Sequence, residues 1–216
     1  MGTEMQYSMA GQSEIMSFRT LASPAEYEHR ESKSRFIALA YQAGSAEEAV
    51  ERYVSVKKLY HDAAHFPYAY RITPSGSVSK SSDDGEPSGT GGKPLADALQ
   101  KYSLTDTLIT VVRYFGGVKL GVGGLKRAFF TAADECLASA NIEEVHISEI
   151  YLIMFSYPYM SAVMKAIEDL GIKIIENRSV EQCTFLAEVR KSSLKEFRDR
   201  LMSATNGSAE FLPVSV

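Results

Sequence analysis

The sequence predicts an α+β protein. Strand patterns outnumber helical ones along its 216 residues, and they do not alternate with helices in the regular series of a doubly wound sheet. The last third carries a simpler rhythm, strand, helix, two strands, helix, strand, which is the order of a ferredoxin-like domain. With 45% hydrophobic residues the chain can build one large domain or two small ones with real cores.

Residues 1–15 have neither a basic start nor an apolar stretch, so they do not read as a signal peptide. They are set aside as an unstructured leader or extension, with Met16 as an alternative start. A first domain is expected over 16–145 and a ferredoxin-like one over 148–216. In the first, strands are expected at 18–21, 26–31 and 34–41, the last with Phe36, Ala38 and Ala40 on one face. Gly44 and Ser45 break that run. Ser45 with Glu48 then forms a capping box for a helix to about Tyr60, with Val50, Tyr53, Val54, Lys57 and Tyr60 at helical spacing. A strand follows at 66–73, stopped by Pro74-Ser75-Gly76, and 79–94 reads as an ordered loop. A short helix from Pro94 to about Tyr102, a buried strand at 108–112 and a long helix to about Asn141 complete the domain.

Residues 141–149 are polar and acidic and read as a domain boundary with room for a short strand. Beyond them come a strand at 149–156 and a helix opened by Pro158 and stopped by Gly171. A hairpin at 173–177 and 182–190 follows. Ser193 and Glu196 suggest another capping box for a helix to about Ser203, and Asn206-Gly207 turns the chain into a last strand at 209–214.

Chemistry concentrates in two glycine-rich runs. Residues 110–130, TVVRYFGGVKLGVGGLKRAFF, hold five glycines (Gly116, Gly117, Gly121, Gly123, Gly124) with Arg113, Lys119, Lys126 and Arg127, and no acid. Lys126 and Arg127 are expected in the first turn of the long helix, where the helix dipole disfavours cations, so two together suggest an anion nearby. Strand, glycine loop and helix start form a common cradle for phosphate. The plainer account is a tight turn with solvated lysines. Tyr114 and Phe115 either stack on unpaired bases or pack beneath the loop. The second run, 79–94, starts with the carboxylates Asp83, Asp84 and Glu86 and ends at Lys93 and Pro94. Those carboxylates can form a solvated turn, orient the basic loop, or hold Mg²⁺.

Several function classes are excluded. A formal net charge of −4 rules out bulk electrostatic capture of nucleic acid, so any phosphate binding is local. Two distant cysteines fit a reducing compartment, hence the cytoplasm, rather than a disulfide framework. Pro87 and Pro94 break a Walker pattern around Gly92-Lys93, and Lys126 stands where a dinucleotide motif needs glycine. His61 and His65 have zinc-protease spacing but no catalytic Glu or third ligand, so a helix end or a satisfied corner histidine is the plainer account beside a metal site, which stays open. No Ser, Cys or Thr stands in a nucleophile setting.

With SKSRFIA at 32–38 and DAAHFPYAYRI at 62–72, the two glycine runs resemble the signature blocks of the IMPACT family, bacterial YigZ-like branch. The resemblance implies a first domain like the second domain of a small-subunit ribosomal protein, followed by a ferredoxin-like domain. That tandem is similar to two successive domains of elongation factor G. It also implies a link to translation, since eukaryotic relatives regulate it, though they carry a different additional domain. The resulting expectation is a non-catalytic regulator that binds RNA or a ribosome-associated partner through the basic loop. The alternatives are a metal-dependent hydrolase or phosphotransferase using the acidic loop, and a protein-recruitment module.

Overall fold

The structure, a computed structural model, describes residues 14–214; most of the expected leader lies outside them. The described residues divide into two compact units, Ser17–His146 and 147–214, the second also taking in 14–16.

The first unit is built on a five-stranded sheet. Its strands are β2 (Ala25–Glu31), β3 (Ser34–Gln42), β4 (Tyr68–Ile72), β5 (Val78–Ser82) and β6 (Thr107–Tyr114), in the order β2-β3-β6-β4-β5. β3 and β6 lie in the middle, so they are apolar on both faces. Phe36, Ala38, Ala40, Ile109 and Val111 pack on one side against α2 (Gly92–Lys101) and α3 (Gly121–Ala138). Ile37, Leu39 and Val112 pack on the other against α1 (Ala46–Leu59). A separate two-stranded sheet pairs β1 (Ser17–Leu21) with β7 (Ile142–His146), so the acidic stretch after α3 returns to the start of the same unit.

The second unit carries β8 (Ser148–Phe155), α4 (Met160–Asp169), β9 (Lys173–Asn177), β10 (Cys183–Arg190), α5 (Leu194–Ala204) and β11 (Glu210–Pro213). Its sheet order is β11-β8-β10-β9, all neighbours antiparallel, which is the ferredoxin-like arrangement. The α+β class therefore holds.

Four details differ from the sequence reading. Residues 79–82 belong to β5, an exposed edge strand paired with β4, rather than to a loop; VSKSS offers no apolar alternation because the sheet uses only its backbone. Helix α1 turns Ala49, Tyr53, Val56 and Tyr60 toward the sheet and leaves Val50 and Val54 exposed. Helix α3 begins at Gly121, so Lys126 and Arg127 stand in its second turn, and three of the "loop" glycines are helical. Their poor helix propensity is overridden by burial of Leu125, Ala128 and Phe129 in the turns that follow. Ser193 makes no capping hydrogen bond, because a 3-10 turn over Lys191–Ser193 leads directly into α5.

Candidate functional site

The two glycine-rich runs meet at one end of the central sheet. β6 alternates sides, so Arg113 follows Ile109 and Val111 on the face covered by α2 and α3. Its guanidinium lies 5.6 Å from the ring centres of both Phe36 and Phe115. Nη1 donates to Oε1 and Oε2 of Glu86 at 2.6 and 2.7 Å. The Glu86 side chain is 2% exposed and that of Arg113 10%, so this ion pair is shielded from water and salt. Glu86 thus orients the basic loop, and Arg113 is not a solvent-facing cation.

The other two carboxylates are also committed. Asp83 accepts the N–H groups of Gly89 (2.8 Å), Gly91 (2.9 Å) and Gly92 (2.9 Å), closing the start of α2. Burial works against its charged form, but those N–H bonds outweigh burial and hold the carboxyl below the ordinary value of 3.8. Asp84 accepts the Phe66 N–H at 2.8 Å and faces Lys57 Nζ at 3.3 Å. His65 Nδ1 donates to the Asp84 carbonyl at 2.8 Å. Gly85, at φ +89, has to be glycine, since a Cβ there would lie 2.8 Å from that same nitrogen. The three acids therefore point to α2, α1 and β6 in turn and do not converge as Mg²⁺ ligands. Among the described residues, no three His, Cys, Asp or Glu side chains are grouped to hold a metal.

The basic run separates into distinct parts. Gly116 packs on the backbone of Lys33, where a Cβ would meet its carbonyl carbon at 2.1 Å, and Gly124 abuts Leu120. Those two glycines serve packing. Gly117 and Gly121 have φ of +85 and +68, and a Cβ at either would point into open space. Gly123 is likewise open apart from the Arg127 guanidinium. Tyr114 is held away from the loop mouth: its hydroxyl donates to Asp62 at 2.7 Å, and Arg35 covers its ring. That hydrogen bond holds the Asp62 carboxyl below its usual range and pushes the Tyr114 hydroxyl up. Phe115, in contrast, is 59% exposed.

Two concavities result. A groove of about 310 Å³ between α2 and α3 is lined by Lys93, Lys126 and Arg127, with Pro94, Phe130 and Thr131 behind them and Gly89 at one end. Its single carboxylate, Asp97, is paired with Lys93 at 3.0 Å. A cleft of about 440 Å³ opens at the start of α3, where Arg113 and Lys119 meet Phe115, Gly121 and Val122. Thus Lys93 joins Lys126 and Arg127, whereas Arg113 joins Lys119. The sequence reading did not single out Phe130 or Thr131, whose helical spacing marked them only as neighbours of the buried face.

The chain has relatives among known proteins. The profile of the Impact N-terminal domain matches residues 32–137, which span both glycine-rich runs. The chain is 32% identical over 196 residues to the IMPACT family member YvyE of Bacillus subtilis, covering 91% of this chain and 90% of that one. It is 27% identical to IMPACT family member YigZ of Escherichia coli, covering 89% of this chain and 96% of that one. Over 108 residues, half of this chain and 57% of the relative, identity reaches 44% to an IMPACT family member of Thermus thermophilus. A solved structure titled only as that of a hypothetical protein superposes with a TM-score of 0.66 at 27% identity, covering 93% of this chain and 98% of that one. On the extent and identity of these matches, the chain belongs to the IMPACT family.

Proposed function

We propose that this protein is a non-catalytic, cytoplasmic RNA-binding regulator linked to translation, and that it holds single-stranded RNA in the groove between α2 and α3. One observation carries the reading: Lys126 and Arg127, which form no salt bridge among the described residues, line one groove with Lys93 from a segment remote in sequence, and Lys93 already neutralises the groove's one acid, Asp97. In a chain of net charge −4 this is a local positive stripe, and local charge is what phosphate contacts require. Phe130 and Thr131 supply an apolar and a hydroxyl wall beside it. The translation link that the family resemblance implies points the same way. A metal-dependent phosphotransfer reading gains no support, since Asp83, Asp84 and Glu86 are each bound to protein groups.

The test is binding of a single-stranded oligoribonucleotide over a range of salt. The two uncompensated groove cations meeting phosphates give a log-log slope of about −1.4, and Lys126→Glu with Arg127→Glu removes most of it. Absent or salt-independent binding overturns the reading. Co-purification with a protein partner that survives nuclease treatment would favour recruitment instead.

A further inference from the structure

Helix α2 has a second flank, which faces β4 and β5 rather than the groove assigned to RNA. Strand β4 alternates sides, so Arg71 follows Ala69 onto the α2 face, and Ser79 and Ser81, their partners on β5, share that face. Arg71 also pairs with Thr107 at the start of β6, the far end from Arg113. Between the two serines and α2 a concavity of about 370 Å³ opens, whose lining includes Arg71, Ser79, Lys80, Ser81 and Gln100 and no carboxylate. Arg71 is half-buried, yet its guanidinium has no hydrogen-bond or ion-pair partner among the described residues, and all its nitrogens keep accessible surface. It rests against Gly76, where a Cβ would lie 2.6 and 2.9 Å from two of those nitrogens. The turn that carries Gly76, at φ +64, is fixed by the Thr73 N–H on Asp106 and the Gly76 N–H on the Thr73 carbonyl, both at 2.8 Å. The fork of donors is thus aimed by a turn and not by an acceptor.

The carbonyl end of α2 closes beside this concavity and by itself would repel an anion. Its carbonyls are occupied, however: Arg19 Nη1 donates to that of Tyr102, and the Ser103 and Leu104 N–H groups donate to those of Gln100 and Leu99, each at 3.0 Å. A second concavity of about 450 Å³ shares Arg71 and Gln100 with the first and adds Arg19, Ser103 and Glu144. Glu144 stands opposite Arg19 in the pairing of β1 with β7, but Arg19 is turned to α2, and the carboxylate accepts only from the Ser17 hydroxyl.

We infer that the two concavities together bind a sugar phosphate. The phosphoryl group lies in the first, on the Arg71 guanidinium and the Ser79 and Ser81 hydroxyls, with Lys80 at the rim. Two cations without an acid suit a dianion, and the guanidinium suits its oxygens. The second concavity takes the hydroxyl-bearing body. Arg19 only donates, Glu144 only accepts, and Gln100 and Ser103 do both, which matches hydroxyls that each give and take a hydrogen bond. Its apolar side chains are Phe18 and Pro74 alone, too little wall to sandwich a base. The inference does not depend on the RNA reading of the groove on the other flank.

A free sugar phosphate and the ribose-phosphate unit of an RNA share this chemistry, and the experiment separates them. The full chain is titrated with ribose 5-phosphate, ribose, inorganic phosphate and a single-stranded oligoribonucleotide while the amide resonances of Gly76, Ser79, Ser81 and Gln100 are followed by NMR. Ribose 5-phosphate should move them with a Kd on the order of 100 µM, phosphate should bind at least about fivefold more weakly, and ribose should not move them. Replacing Arg71 leaves no protein acceptor unpaired, so Arg71→Met should keep the fold and weaken ribose 5-phosphate at least about tenfold. Ser81 lies on the exposed edge strand, and Ser81→Glu, which brings a carboxylate to the Arg71 side, should give a similar loss. Glu144→Gln should weaken ribose 5-phosphate about threefold and leave inorganic phosphate unchanged. Ribose 5-phosphate bound while the oligonucleotide leaves these resonances still supports the site and makes a free metabolite its ligand. Resonances moved by the oligonucleotide, and not in Arg71→Met, support the site and make RNA its ligand. Resonances unmoved by ribose 5-phosphate and oligonucleotide, or moved equally in Arg71→Met and Ser81→Glu, overturn the inference. Equal affinity for phosphate and ribose 5-phosphate overturns the place given to the sugar.

Discussion

Asp83 does for α2 what no side chain does for α3. One carboxylate takes three backbone N–H groups, and that is why a residue in an acidic, glycine-rich turn is structural rather than catalytic. Because its folded pKa lies below the ordinary 3.8, its contribution is complete above that value and is lost as pH falls through the lower, folded one. Asp83→Asn should therefore cost about 2 kcal/mol at pH 7 in urea unfolding, and the gap to the parent should shrink steadily below pH 3.8. A gap that is constant down to pH 2 would show that the charge is not what matters. Glu86 and Arg113 make the complementary point: both carry charge, yet neither is a surface group, and spacing alone does not reveal which of three neighbouring acids turns inward.

Among the helices, two of the same apparent signal behave differently. Ser45 accepts the Glu48 N–H at 3.1 Å, and the Glu48 carboxylate reaches back to the Gly44 N–H at 3.0 Å, so the box at the start of α1 is real though shifted by one residue. Ser193 has the same partner spacing, but its backbone is already helical at φ −98 and ψ −6, and its side chain caps nothing. Ser45→Ala should cost about 1 kcal/mol and Ser193→Ala less than about 0.5 kcal/mol by thermal or urea unfolding. Equal costs would mean that sequence spacing, not backbone geometry, decides capping. Helix α3 shows the opposite failure of local reading. Its opening glycines weaken the helix where it begins, and only the burial of Leu125, Ala128 and Phe129 extends it upstream to Gly121.

Each of the two units carries its own core and one cysteine. Cys136 is fully buried in the first, where burial pushes its thiol up to about 12, and Cys183 is fully buried in the second, where burial also pushes it up. At pH 8 neither thiol should react with a maleimide in the native protein. In rising urea each should label when its own unit opens, as read by peptide mass spectrometry. Immediate labelling of either in native buffer would contradict the burial described.

By itself the sequence determined the class, the run of elements and the identity of the two chemical segments, because apolar periodicity, turn residues and unbalanced charge are local properties that need no partner. It read the edge strand β5 as loop, since an exposed strand is made by the backbone of its neighbour β4 and leaves no side-chain pattern. Only the tertiary structure decided that Arg113 is spent on Glu86, that Lys93 joins Lys126 and Arg127, and that the start of α3 is left open. The sheet order β2-β3-β6-β4-β5 sets α2 and α3 side by side on one face and brings residues some thirty positions apart into one groove, an outcome of packing that no local spacing encodes.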